Sequence, residues 1–166
     1  MIDRDHGTGV IVWDAQTGKT LSTITNTANG GTHAVVFSPN KKRIAISSRQ
    51  FDKENDRSTT TVSVAYALTG ITEWQQNIPG WAVPKAFTPD GKYLAVLRGG
   101  HSIRFINVET GTVKHEIKSA DYLSSTPRQG AEWNDFAISS SGTRLAIGGV
   151  DKARNGSIEI WDISSL

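Results

Sequence analysis

Histidines and acidic residues are the side chains of this chain that could bind a metal ion. No two histidines have the i, i+4 spacing of a metal-binding pair; they are His6, His33, His101 and His115. The acidic run at residues 52–56 has the alternating oxygen ligands of a calcium loop, but it lacks the glycine and the terminal glutamate at the required distances. We therefore expect no metal and no cofactor, and we interpret residues 52–56 as an exposed loop.

Nucleophilic catalysis has equally little support. The chain has no cysteine, which excludes a thiol nucleophile, a disulfide framework and a zinc–thiolate site. No serine lies in a Gly-x-Ser-x-Gly elbow, and the pairs Gly99-Gly100 and Gly148-Gly149 lack the lysine and the helix of a phosphate-binding loop. The sequence predicts that the protein is not an enzyme.

Composition restricts the partners. The 166 residues carry a net charge of +2, with 37% hydrophobic and 20% charged residues, which is ordinary for one soluble domain. Residues 41–43 are the main basic cluster, and such a short cluster favours a solvated turn over a nucleic-acid site. No stretch is apolar enough to span a bilayer, and residues 1–6 are charged where a secretory signal is apolar. We predict a cytoplasmic protein that binds neither nucleic acid nor membrane.

One pattern occurs three times at intervals of about 50 residues. An aromatic or aliphatic residue begins a turn of the Ser-Pro-Asp-Gly type, and an aliphatic-Ala strand follows seven residues later. The matching positions are Phe37, Phe87 and Ile138 for the first residue, and Ile44, Leu94 and Leu145 for the strand.

A second element recurs in phase with the first. Short strands are predicted at residues 10–14, 62–66, 103–107 and 158–162, and Thr-Gly turns follow three of them, at residues 17–18, 69–70 and 110–111. Glycine suits these turns because it adopts positive φ without a steric clash. Each complete unit is therefore predicted to be a four-stranded antiparallel meander.

The motifs resemble those of the WD-repeat β-propeller family. Trp13-Asp14, Trp161-Asp162, the Thr-Gly turns and residues 87–92 (FTPDGK) occur in the family's order over nearly the whole chain. Ala65-Tyr66 and Ile106-Asn107 replace Trp-Asp in the middle copies, and His33 is a displaced remnant of the family's Gly-His. The resemblance implies an all-β fold of propeller blades.

We predict one domain of about three repeats. Its parts are a partial blade at residues 1–33, blades at 34–80 and 81–130, and a partial blade at 131–166. Three blades should not close a ring, because the smallest closed propellers have about four. Two hypotheses remain open: the chain is part of a longer propeller, or a homodimer completes the ring.

The function that we expect is a non-catalytic scaffold that binds a protein or peptide through loops at residues 3–9, 50–59 and 121–133. A propeller that processes a sugar, quinone or lactone is an alternative, although the equivalent inner positions hold the dissimilar His33, Val83 and Asn134. A purely structural segment of a larger repeat protein is the third hypothesis.

Six side chains are candidates for partner binding: Trp81, Trp133, His33, Lys85, Arg98 and His101. Trp81 and Trp133 precede the first strand of a repeat, where an aromatic residue could anchor a partner or pack between blades. We expect Lys85 to point into a central channel or a rim, and Arg98 and His101 to present charge beside Trp81. Trp13, Trp74 and Trp161 are predicted to be structural.

Overall fold

The chain is all-β in a computed structural model, which describes residues 9–25, 31–119, 132–151 and 153–166. Thirteen strands and no helix lie within these residues. The strands are β1 (Gly9–Trp13), β2 (Thr20–Thr25), β3 (Gly31–Phe37), β4 (Arg43–Asp52), β5 (Arg57–Tyr66), β6 (Thr72–Pro79), β7 (Ala82–Phe87), β8 (Tyr93–Arg98), β9 (Ser102–Asn107), β10 (Val113–Lys118), β11 (Glu132–Ile138), β12 (Arg144–Val150) and β13 (Gly156–Asp162).

The strands form four sheets in which each strand pairs with the next along the chain. Sheet I contains β1 and β2, sheet II β3 to β6, sheet III β7 to β10, and sheet IV β11 to β13. The described pairings are antiparallel, so the prediction of an all-β chain of antiparallel meanders is confirmed. Within the described residues the four sheets contain two, four, four and three strands.

The turn between the first two strands of sheets II, III and IV is held in each case by a hydroxyl side chain. In sheet III, Thr88 Oγ1 donates to Asp90 Oδ1 at 2.6 Å and accepts from Tyr93 N at 3.0 Å. Ser38 makes the same two contacts in sheet II, and Ser139 accepts from Arg144 N in sheet IV. A short hydroxyl side chain is needed here because it satisfies backbone groups that the turn leaves unpaired.

The acidic residue of the Trp-Asp motif holds the second kind of turn. Asp14 Oδ1 accepts hydrogen bonds from Gln16 N and Thr17 N, both at 2.9 Å, and these bonds lower the pKa of Asp14. Asn107 makes the same pair of bonds in sheet III. Asn thus replaces Asp without loss of the turn, since either side chain offers the oxygen acceptor.

The chain divides into two compact units, residues 1–84 and 85–166, and each has its own core between sheets. In the first unit, Val12 and Ile24 of sheet I pack against Ile44, Ile46 and Ala65 of sheet II.

In the second unit, residues of sheet III and of sheet IV share a larger cluster that includes Leu97, Phe105, Leu145 and Ile147. Sheet faces are therefore covered by other sheets rather than by helices. No helix long and apolar enough to cross a membrane occurs in the parts of the chain that the structure describes.

Candidate functional site

The segment at residues 50–59 is a projecting ribbon of two strands rather than the predicted loop. β4 and β5 stay paired from Arg43↔Tyr66 to Asp52↔Arg57, and only residues 53–56 form the turn. Pairing with β3 ends at Gly31↔Arg49, and pairing with β6 ends at Thr59↔Pro79. Among the described residues, the ribbon therefore extends beyond β3 and β6, and the prediction of a loop over the whole of residues 50–59 was wrong.

The Asp52 carboxylate stabilises the tight turn at residues 53–56. Its Oδ1 accepts from Glu54 N at 3.0 Å and from Asn55 N at 3.3 Å, while its Oδ2 accepts from Asn55 Nδ2 at 2.8 Å. The hydrogen bond from the Asn55 side chain is the main cause that lowers the pKa of Asp52. The carboxylate thus serves the turn, in which Asp56 has a φ of 51°.

The connection that carries Trp81 is fixed to the base of this ribbon. Gly80 N donates to Ser58 O at 2.7 Å, and Thr60 Oγ1 donates to Gly80 O at 2.7 Å. Ala82 N donates to the same Thr60 hydroxyl at 3.2 Å. Hydrogen bonds on both sides of Trp81 therefore hold its backbone, while its side chain remains 36% exposed.

Phe51 lies on the same side of the ribbon as this connection. Side chains alternate along a strand and directly opposed residues share a face, so Phe51, which pairs with Ser58, is on the face of the Thr60 side chain. Phe51 is 52% exposed although it is a large apolar residue. Arg49 pairs with Thr60 and is also exposed on this face. We call Arg49, Phe51 and Trp81 the aromatic ribbon site.

Trp133 is placed differently from Trp81. It lies on β11, is only 2% exposed, and donates from Nε1 to Glu159 Oε1 at 2.9 Å. Of the two hypotheses for this residue, its burial supports packing and argues against a partner anchor. The predicted contact loops at residues 3–9 and 121–133 lie largely outside the described residues.

His33 is exposed at a bulge in β3, and its repeat equivalent, Asn134, is at a bulge in β11. The shared irregularity supports the equivalence of these positions.

Lys85 is on β7, and its Nζ lies 3.3 Å from Asp135 Oδ1. Because Asp135 is largely exposed, this ion pair contributes little to stability. A position of Lys85 in a channel or at a rim stays a prediction.

Arg98 and His101 flank the turn between β8 and β9. His101 Nδ1 lies 2.7 Å from Gly99 O, and burial is the main cause that lowers the pKa of His101. Arg98 Nε is buried, and no described group accepts its hydrogen bond. The expectation that these two residues border Trp81 stays a prediction.

The three tryptophans predicted to be structural differ in exposure. Trp161 is half-buried against the core of the second unit, and Trp74 is half-buried on β6. Trp13 is 61% exposed, so a structural role for this residue stays a prediction. No described sheet packs on the face of sheet I that carries Trp13.

The described residues contain no group of three or more His, Asp or Glu side chains that could hold a metal ion. No motif in the sequence marks Phe51 as a site residue. One signal was present, since the β-branched run at residues 59–62 favours a strand in place of a loop.

The fold is β-propeller-like: antiparallel sheets of two to four strands follow one another along an all-β chain. No family model and no curated protein sequence matches the chain. Among solved structures, it is similar to hydrazine synthase of Kuenenia stuttgartiensis, with a TM-score of 0.67 and 20% identity. The similarity covers 95% of this chain and 41% of that chain, so this chain spans less than half of the matched protein. At this identity the likeness concerns the fold.

Proposed function

We propose that this chain is a non-catalytic protein-binding module of the WD-repeat-like β-propeller type, in which sheets I to IV are blades or partial blades. The contact surface is the aromatic ribbon site, and the partner is a protein or peptide. The observation that carries the proposal is that Phe51 and Trp81 are both exposed, and that the backbone on either side of Trp81 is hydrogen-bonded to the side chain of Thr60, which lies on the same face of the ribbon as Phe51.

Rigid exposed aromatic residues are suited to this role. They offer a large apolar contact area and lose little side-chain entropy on binding, which is why Trp, Tyr and Arg dominate the energetics of protein interfaces. Arg49 adds a cation on the same face, so the site favours a partner surface with an apolar residue beside a carboxylate.

The test compares Phe51→Ala, Trp81→Ala and Leu68→Ala. Leu68 is the matched control because it is 65% exposed and lies in the turn between β5 and β6, away from the ribbon. Each immobilised variant is incubated with an extract of the source cells, the recovered proteins are quantified, and the affinity for each purified candidate is then measured.

We expect Phe51→Ala and Trp81→Ala each to weaken the affinity at least tenfold, about 1.4 kcal/mol. Leu68→Ala and the wild type should bind equally, and all melting temperatures should agree. Equal recovery by all four proteins would contradict the proposal.

The alternatives predict other outcomes. A purely structural segment predicts that Phe51→Ala and Trp81→Ala lower the melting temperature and that no protein is recovered specifically. A propeller that binds a small molecule predicts a ligand whose affinity is insensitive to both variants. The likeness to an enzyme at 20% identity adds no weight to this second alternative.

A further inference from the structure

Sheet I and sheet IV, the first and the last along the chain, each have an apolar face that is open to solvent. On sheet IV, Ile158 is 78% and Ile160 is 62% exposed, and we call these two residues the tail face. On sheet I, Ile11 is 47% and Trp13 is 61% exposed, and these two residues are the head face. Exposed β-branched and aromatic pairs on a sheet are costly, since each Å² of apolar surface left in water forfeits about 25 cal/mol.

The repeat shows what normally covers a tail face. Residues 2–14 align without a gap to residues 150–162, so Val10 and Val12 are the equivalents of Ile158 and Ile160. Val12 is buried where sheet I packs on sheet II, with Val10 beside it.

In sheet III the residues equivalent to Ile158 and Ile160 are Ile103 and Phe105, and both are fully buried in the cluster shared with sheet IV.

The repeat likewise shows what covers a head face. Trp161 is the equivalent of Trp13, and it packs against the cluster that sheet IV shares with sheet III. Ala65, at the same position in sheet II, is fully buried against sheet I. The two packed interfaces described above, one in each unit, therefore join a tail face to a head face.

We propose that the tail face of one copy of this chain packs on the head face of a second copy. The two open surfaces are of the types that pair in both of these interfaces, so a second copy offers each of them its usual partner. The head face is also more apolar than its packed equivalent in sheet IV, because Ile11 stands where that sheet has Glu159. Such a contact is heterologous, with different surfaces on the two copies.

A mixing experiment tests this pairing. Ile158→Lys with Ile160→Lys blocks the tail face, and Ile11→Lys with Trp13→Lys blocks the head face; all four side chains are exposed, so both variants should fold. Leu68→Lys with Ile71→Lys is the control, since these residues are equally exposed in a turn. Sedimentation equilibrium measures the mass of each protein and of the equimolar mixture.

We expect the wild type and the control to associate with increasing concentration and each blocked variant to remain a monomer. The equimolar mixture should form a 1:1 dimer, because one intact tail face meets one intact head face. A wild type that stays monomeric, a blocked variant that still associates, or a mixture without a dimer would overturn the proposal. Circular dichroism spectra that match the wild type establish that the variants are folded.

Discussion

Arg43 and Glu73 form a two-point ion pair that joins β4 to β6 across sheet II. Arg43 Nε donates to Glu73 Oε2 at 2.6 Å, and Nη2 donates to Oε1 at 2.9 Å. Both side chains are largely buried, and the guanidinium also lies 5.7 Å from the centre of the Tyr66 ring. A pair with this geometry is stronger than an exposed one, because two parallel hydrogen bonds fix both charges.

Replacing Glu73 with Gln should lower the free energy of unfolding at pH 7 by about 1–3 kcal/mol, because Arg43 loses a charged partner. Lys118→Gln is the control: this lysine is exposed and only 3.5 Å from Glu116, so its loss should cost under about 0.5 kcal/mol. Urea denaturation measures both values. Equal losses of unfolding free energy for the two substitutions would show that the two-point geometry of the Arg43–Glu73 pair adds no stability.

The same pair predicts a pH dependence. The hydrogen bond from Arg43 is the main cause that lowers the pKa of Glu73 from 4.5. A lowered pKa in the folded state means that the stabilisation is fully present above pH 4.5 and is lost as the pH falls through the folded-state value. The difference between wild type and Glu73→Gln should therefore be constant from pH 7 to pH 5 and shrink below pH 4.5. A difference that grows on acidification would contradict the assignment.

Lys41 occupies a turn position that its repeat equivalents fill with glycine. Its φ is 59°, and Gly91 and Gly142 each have a φ of 73°. A side chain in this conformation costs about 1 kcal/mol, so Lys41→Gly should raise the melting temperature by about 2–4 °C and Gly91→Lys should lower it by a similar amount. Lys42→Gly, which removes the same charge beside it, should give no gain. A gain from Lys42→Gly equal to that from Lys41→Gly would point to charge instead of backbone conformation.

Glu159 joins two indole rings. It accepts from Trp133 Nε1 at 2.9 Å and from Trp161 Nε1 at 3.0 Å, so Glu159→Ala should leave two donors unpaired and cost about 2 kcal/mol. Chemical denaturation followed by tryptophan fluorescence measures this loss. Glu132→Gln is the control, because its 3.5 Å contact with Arg154 is exposed. A loss no larger than the control's would refute the role of Glu159.

The tip of the ribbon should be dispensable for folding. Replacing residues 52–57 with Asn-Gly would join Phe51 to Ser58 through a two-residue hairpin turn, which matches the twist of antiparallel strands. We expect the free energy of unfolding to change by less than about 1 kcal/mol, because the removed residues pair with neither β3 nor β6. Hydrogen exchange in β3 and β6 checks this. Faster exchange throughout both strands would mean that the tip supports the sheet.

The repeats predicted the scaffold well because they carry local, physically required signals. Thr88 and Asp90 are needed to hold a turn, and Gly111 is needed for positive φ, so each marks a boundary that the structure confirms. The site was harder to predict. Whether residues 50–59 form a loop or a ribbon depends on how β4 and β5 pair. Polar residues such as Lys53 and Glu54 occur in both loops and exposed strands, so they do not predict this pairing.

Burial could not be inferred from residue type alone. Trp13 and Trp161 have the same motif and the same place in a strand, yet only Trp161 has a sheet on its face. Trp81 and Trp133 occupy similar places in their repeats, yet Trp81 precedes β7 and is exposed, whereas Trp133 lies on β11 and is buried. For Trp13 and Trp161 the difference arises from which neighbouring sheet is present, a tertiary property that periodicity does not encode.

The most direct test of the account is a double-mutant cycle at the aromatic ribbon site. Isothermal titration calorimetry would measure the affinity of the identified partner for the wild type, Phe51→Ala, Trp81→Ala and the double variant. If the two side chains form one contact surface, each substitution weakens binding at least tenfold and their effects are coupled by about 0.5 kcal/mol or more. Unchanged affinity for both single variants, with intact folding, would contradict the account.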